Sequence, residues 1–415
     1  MAGKLLAFLG TGNYSEVTYH LGGREHTTCY APAALCRLLE PKPEELIVSA
    51  TQDAENKHGR GLQDAVGDCV PMRLVRIPAG ASEEEMWDIF RIITEQVGEG
   101  DTLYFDITHS FRSLPFLSFL VLAYLRTAKD ADIAGVYYGA YDARQDSRVP
   151  FFDLTPFVKL LDWTTAADRF IRFGDGRDLA ELARQEKAEW ARAGGIGKGE
   201  LFPWDRLATT LSDISLALRL IRPHEVMEKA HNLQEHLRTH FTDAASRRAQ
   251  IFPLTVLLEK VGQAFAPLAL DKPRQADRYE DLRRQKALIR WYFDHQQYVQ
   301  AIALAREWLV SWAVVLTGCP KRVYSKEQRE KAENVLNQAG RRLRDKEAGQ
   351  YPKPEEVPIP EHVAGLWAKI TERRNDLLHA GMREQPVSAK NVADDITSFV
   401  DEIEILSLSR EEGAS

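Results

Sequence analysis

Hydrophobic periodicity changes once along this chain, near residue 155, and that change limits the folds open to it. Before it, short β-like runs alternate with helical patterns. Residues 5–9, 45–50, 72–77, 102–107 and 133–138 are predicted as buried strands, and 31–39, 82–97 and 114–128 as helices. Ser82 with Glu85 three residues on gives the second of these helices a capping-box start. Residues 149–154 are predicted as a last strand at the sheet edge. Strands alternating with helices imply a doubly wound, mainly parallel sheet, whose ligands sit at the carboxyl ends of the strands.

From 156 to 406 the pattern yields no strand, only amphipathic helical stretches broken by Gly and Pro. Residues 286–316 show apolar spacing of one or two core helices. The predicted layout is an α/β domain over 1–155, a connecting helix and linker over 156–200, and an all-α domain over 201–415. Within the linker, AGGIGKGE at 193–200 contains a Gly-Lys pair, but Gly199 stands where a phosphate loop needs Ser or Thr to hold magnesium. It reads as a flexible connection.

Composition narrows the partners. A net charge of −7 and pI near 5.9 over 415 residues argue against binding nucleic acid mainly by charge, and no DNA partner is expected. The basic run Arg341-Arg342-Leu343-Arg344 reads as a solvated helix face. Cys29, Cys36, Cys69 and Cys319 include no CxxC pair, so neither a zinc knuckle nor a disulfide scaffold is expected. No cofactor or metal site is expected either. The opening MAGKLLAFLGTG is too short an apolar run for a signal peptide, and no stretch approaches the roughly 20 apolar residues of a membrane helix. The expected location is the cytoplasm, away from membranes.

Two loops in the first half carry polar chemistry. Strand one runs into Gly10-Thr11-Gly12-Asn13-Tyr14-Ser15, where glycines permit close backbone approach and Thr11, Asn13 and Ser15 supply uncharged donors. Ser15 occupies the place of the third glycine of GxGxxG. The strand at 102–107 leads into Thr108-His109-Ser110-Phe111-Arg112, a strand-to-helix corner suited to a phosphate or a polar nucleotide edge. Asp106 and His109 lack a third partner at a diagnostic spacing, so the corner reads as a binding site.

In the second half stands Arg374-Asn375-Asp376-Leu377-Leu378-His379, with Gly381 as the predicted helix stop. Arg374 and His379 are five apart, about 140° around a regular helix, so they would not form a tight pair within one chain but could line a shared cleft if two copies met about a twofold axis. Arginine and histidine without clustered carboxylates or cysteines suit metal-independent RNA cleavage, in which the 2′-hydroxyl is the nucleophile. His236 and His240 are at i,i+4 but have no third ligand, and they read as a partly solvated helix face.

The blocks FLGTGNYSEVTY, VSATQDAENKHGRGL and YFDITHSFRSLP resemble, in order, the N-terminal domain of CRISPR-associated DxTHG-motif proteins. Ser110 stands where that motif has Gly. The domain is the CARF domain, a Rossmann-like sensor of cyclic oligoadenylates, and the Arg374–His379 pattern resembles a HEPN domain. The resemblance implies a homodimeric endoribonuclease of type III CRISPR defence, acting on single-stranded RNA. It also implies a ring ligand, cyclic tetra-adenylate as first choice, held by the Gly10–Ser15 loop, the Thr108–Arg112 corner and Thr51. Arg374, Asn375 and His379 would do the cutting. Two alternatives stay open: a sensor or regulator that cuts nothing, and one that also degrades its ring.

Overall fold

The computed structural model describes residues 3–109, 114–192, 203–247, 252–318, 321, 323–349, 359–382 and 384–408. The candidate linker 193–200 and, within the 108–112 corner, Ser110, Phe111 and Arg112 lie outside them, as does Cys319. The chain divides into two compact units, Met1–Leu161 and Asp162–Ser415.

The first unit is built on an eight-stranded sheet in the order β3-β2-β8-β7-β6-β1-β4-β5. Its parallel heart is β1 (Gly3–Leu9), β4 (Glu45–Ala50), β5 (Met72–Arg76), β6 (Thr102–Asp106) and β7 (Asp132–Gly139). β1 pairs in parallel with β4 on one side and β6 on the other, which makes the gap between β1 and β6 the point where the winding reverses. Alternate residues of β1 serve opposite faces. Leu5, Ala7 and Leu9 join the core beneath α1 (Ala31–Leu38) and α2 (Gln52–Val66). Leu6 and Phe8 join the core beneath α3 (Glu83–Glu95) and α4 (Leu114–Ala128). Burial on both faces is why β1, β4 and β6 read as largely apolar runs.

Two features depart from the pattern read in the sequence. β8 (Arg148–Asp153) is an interior strand: it runs antiparallel to β7 and parallel to β2 (Val17–Leu21). The edge belongs to β3 (Arg24–Thr28), joined to β2 through Gly22 and Gly23 at φ of +57° and +82°. Both central residues are left-handed, the geometry of the two-residue hairpin turn that glycine pairs favour. The second departure is α2, a helix that runs through Gly59 and Gly61. A Cβ at Gly61 would lie 2.5 Å from the Tyr30 hydroxyl, so the glycine that weakens the helix also admits Tyr30 against it.

All elements of the second unit are helical among the described residues. α5 (Thr155–Phe173) crosses the boundary between the units; α6 (Arg177–Arg192), α7 (Trp204–Arg219), α8 (Pro223–Arg247) and α9 (Phe252–Phe265) follow. Then come α10 (Arg278–Asp294), α11 (Tyr298–Leu316), α12 (Lys326–Glu347), α13 (Glu361–Leu378) and α14 (Ala389–Ile405). α11 is long and apolar enough by composition to cross a membrane, yet most of its side chains from Ala301 to Val315 are buried against α10, α12, α13 and α14. Its Trp308 is fully buried and donates its indole N–H to Leu282 O at 2.9 Å. His236 of α8 is also buried, at 4% exposure, and burial pushes its imidazole down to about 4. The solvated face expected for His236 is therefore corrected; only His240 is half-exposed.

Candidate functional site

The carboxyl ends of β1, β4 and β6 lie side by side, with Leu9 in register with Ala50 and Ala7 with Asp106. The two loops singled out in the sequence therefore meet at the switch point. A Cβ added to Gly10 would lie 3.0 Å from His109 O and 3.2 Å from the Tyr14 hydroxyl, so glycine is what lets the loops close.

Tyr14 organises the loop that follows. Gly10 N–H donates to its hydroxyl at 2.9 Å, and its ring lies between the imidazoles of His58 and His109, with centroids 4.4 and 4.1 Å away. Burial raises its phenol to about 12. His58 Nε2 is 2.7 Å from Gly12 O, and a carbonyl only accepts, so Nε2 carries the proton. Nδ1 is then left to accept from the Tyr30 hydroxyl at 3.3 Å. His109 Nε2 accepts from Ala31 N–H at 3.4 Å, and burial, with His58 nearby, lowers its imidazole to about 4. Burial keeps the His109 ring neutral at neutral pH.

Asp106 braces the second loop. Its buried carboxylate accepts from Thr108 N–H at 2.9 Å and from the Thr108 hydroxyl, while Oδ2 has no hydrogen-bond partner among the described residues. Burial outweighs the two bonds and raises the carboxyl to about 6. The Thr108 hydroxyl also accepts from Gly139 N–H at 2.8 Å, so it is engaged within the fold as donor and acceptor. Thr51, at the end of β4, caps α2 by accepting from Ala54 N–H at 3.3 Å.

What remains open to solvent is the outer rim: Thr11, Gly12, Asn13 and Ser15. Lys57 of α2 donates to Thr11 O and to Asn13 Oδ1, each at 2.8 Å, and so holds that rim with an exposed ammonium. Among the described residues, this edge can present backbone N–H groups, small hydroxyls and the Lys57 ammonium to an anionic, hydrogen-bonding ligand. Lys57, His58 and Tyr30 are absent from the site read in the sequence. Lys57 and His58 fall in the block VSATQDAENKHGRGL, and a helix placed there would have put both beside the Gly10 loop.

Residues 4–142 match the family model for the CARF domain of CRISPR system endoribonuclease Csx1. This region has the sequence of a CARF domain. Residues 159–268 match the model for the second domain of CRISPR-associated protein MJ1674. The MJ1674 protein of Methanocaldococcus jannaschii is 33% identical over 119 residues, a match that covers 28% of this chain and 19% of that protein's length. Among solved structures, Enterococcus italicus Csm6 bound to cyclic hexa-2′-fluoro-hexa-dAMP aligns over 97% of this chain and 93% of its own, at 11% identity and a TM-score of 0.44.

In the second unit the Arg374–His379 segment closes α13. Leu378 is its last residue and His379 its cap; Ala380 N–H bonds to Leu377 O and Gly381 N–H to Asp376 O, each at 3.0 Å. That is a Schellman ending, with Ala380 at φ +55° and Gly381 at +66°. Arg373 pairs with Asp395 of α14 and anchors the segment. Arg374 is half-buried and donates to Asn375 Oδ1 at 3.1 Å, while His379 is exposed. Arg374 and His379 share no hydrogen bond.

Proposed function

We propose that this chain is an endoribonuclease of type III CRISPR defence, switched on by a cyclic oligoadenylate at the β1–β4–β6 edge. One observation carries the reading: in a region that matches the CARF model, the Gly10–Ser15 rim, Thr51 and the Thr108–His109 corner converge at the switch point of a doubly wound sheet. Two copies related by a twofold would face these edges across one ring, which carries phosphates for Lys57 and the rim amides and adenines for the rim hydroxyls. Cyclic tetra-adenylate is the first ring to test.

Cleavage belongs to the end of α13. In this mechanism the 2′-oxygen of single-stranded RNA bonds to the adjacent phosphorus as the phosphorus–5′-oxygen bond breaks, leaving a 2′,3′-cyclic phosphate and a 5′-hydroxyl. A neutral imidazole takes the 2′-proton and an imidazolium protonates the departing oxygen. Arg374 stabilises the charge that builds on the phosphorane, and Asn375, bonded to it, holds the guanidinium in place. One His379 from each copy supplies the two proton-transfer roles. The exposure of His379 at a rigid helix end suits a group that must meet both RNA and a second subunit.

Degradation of the ring by Thr108 is the weaker reading, because its hydroxyl is already bonded to Asp106 and Gly139. The test is labelled single-stranded RNA incubated with the protein in EDTA, with cyclic tri-, tetra- or hexa-adenylate added in turn. Cleavage is expected with one ring and loss of at least about a thousandfold in His379→Ala. No cleavage with any ring would contradict the reading.

A further inference from the structure

The second unit contains a cavity of about 530 Å³ that the mechanism above does not use. It lies between the start of α8 and the turn before α10, and its walls include Arg222, His224, Glu225, Glu228, Lys272 and Arg274. Its size is that of a small-molecule site. We propose that this cavity binds a nucleoside monophosphate.

The cations are largely free of carboxylates, although Arg274 rests over the Tyr324 ring with its guanidinium carbon 5.9 Å from the centroid. Among the described residues neither Arg222 nor Arg274 pairs with a carboxylate, and Lys272 reaches only Asp271, at 3.9 Å. Unpaired guanidinium groups at the mouth of a concave site are the usual means of holding a phosphate. The carboxylates of Glu225 and Glu228 rule out a simple polyanion sink and supply acceptors for ribose hydroxyls or an exocyclic amine. Ile221, Pro223 and Pro273 give the apolar surface a base would lie on.

The inner wall is held rigidly. Asp281 is fully buried; His224 Nε2 lies 3.2 Å from its Oδ1, Gln285 donates to the same oxygen at 3.0 Å, and Arg278 and the Tyr324 hydroxyl meet Oδ2. Burial alone would raise this carboxyl, but the bonds from His224, Tyr324 and Gln285 overcome it and hold the group below the usual carboxylate range. His224 Nε2 also lies 2.8 Å from the Tyr324 hydroxyl, which leaves Nδ1 as the ring atom available to a ligand.

The backbone agrees. Ile221 and Lys272, on opposite walls, are non-glycine residues at φ +53° and +43°. Ile221 takes that conformation in the Schellman stop of α7, with its N–H on Leu218 O at 3.3 Å and Arg222 N–H on Ala217 O at 2.9 Å, so the helix ending fixes this wall.

The site shares no residue with the sheet edge or with the end of α13, so its test does not read RNA cleavage. Calorimetric titration of the full chain with AMP, adenosine and inorganic phosphate reads the ligand class directly. AMP is expected to bind at least about tenfold more tightly than adenosine or phosphate, and Arg222→Ala/Arg274→Ala to lose at least about tenfold in AMP affinity with an unchanged melting temperature. Lys57→Ala, at the other candidate site, is expected to keep AMP binding. Three outcomes would overturn the proposal: no AMP binding at millimolar concentration, adenosine binding as tightly as AMP, or AMP binding lost in Lys57→Ala and kept in the arginine variant.

Discussion

Asp106 and His109 belong to the same corner and titrate in opposite senses. The Asp106 carboxyl rises from 3.8 to about 6 in the folded chain, so the folded state keeps a proton that the unfolded state releases. Its contribution, on the order of 3 kcal/mol, is present below pH 4 and lost as pH rises to 6. The His109 imidazole falls from 6.5 to about 4, so the unfolded state takes a proton that the fold refuses, and stability is lost as pH falls from 6.5 to 4. Between about pH 4 and 6 the two slopes oppose each other. Asp106→Asn removes one of them: its melting temperature is expected to drop more steeply than that of the unaltered chain on acidification from pH 6.5 to 4. The reverse holds for His109→Gln, which is expected to lose stability relative to the unaltered chain as pH rises from 4 to 6. Thermal melts across that range check both. Reading DITHSFR as a corner was within reach of the sequence, because a strand ends there and an apolar helix follows. The engagement of Thr108 with Asp106 and Gly139 was not, since the Gly139 bond joins residues 31 apart.

Helix ends and turns decided where the elements lie. The α13 terminus carries an alanine at φ +55°, where glycine has no steric penalty. Ala380→Gly is expected to stabilise the helical unit by up to about 1 kcal/mol, read as a rise in its calorimetric melting temperature. The central parallel strands β1, β4 and β6 were legible because burial on both faces writes a largely apolar run. The hairpin of β2 and β3 carried a legible signal in Gly22-Gly23, but its strands are short and polar, and the reading passed over them. α2 was obscured for a different reason: Gly59 and Gly61 lower helix propensity locally, while the reason for Gly61, the approach of Tyr30, is a tertiary contact. β8 was misplaced at the edge because its position depends on that unassigned hairpin pairing beside it.

For the molecule as a whole, the proposed function links ligand and RNA only if the ring favours one arrangement of the proposed nuclease ends over another. The first unit offers a rim held by Lys57, and the second an exposed histidine at a fixed helix end; on the function proposed above, a second copy completes the one as a symmetric ring site and the other as a two-histidine cleft. The division into two units was readable from the periodicity change near residue 155, whereas Lys57 became visible only once α2 was in place. The decisive measurement is RNA cleavage as a function of cyclic tetra-adenylate concentration, for the unaltered chain and for Lys57→Ala. Loss of the rim bonds is expected to raise the half-activating concentration about tenfold and to leave the plateau rate unchanged. Cleavage that needs no ring, or a Lys57→Ala curve that overlays that of the unaltered chain, would contradict this account.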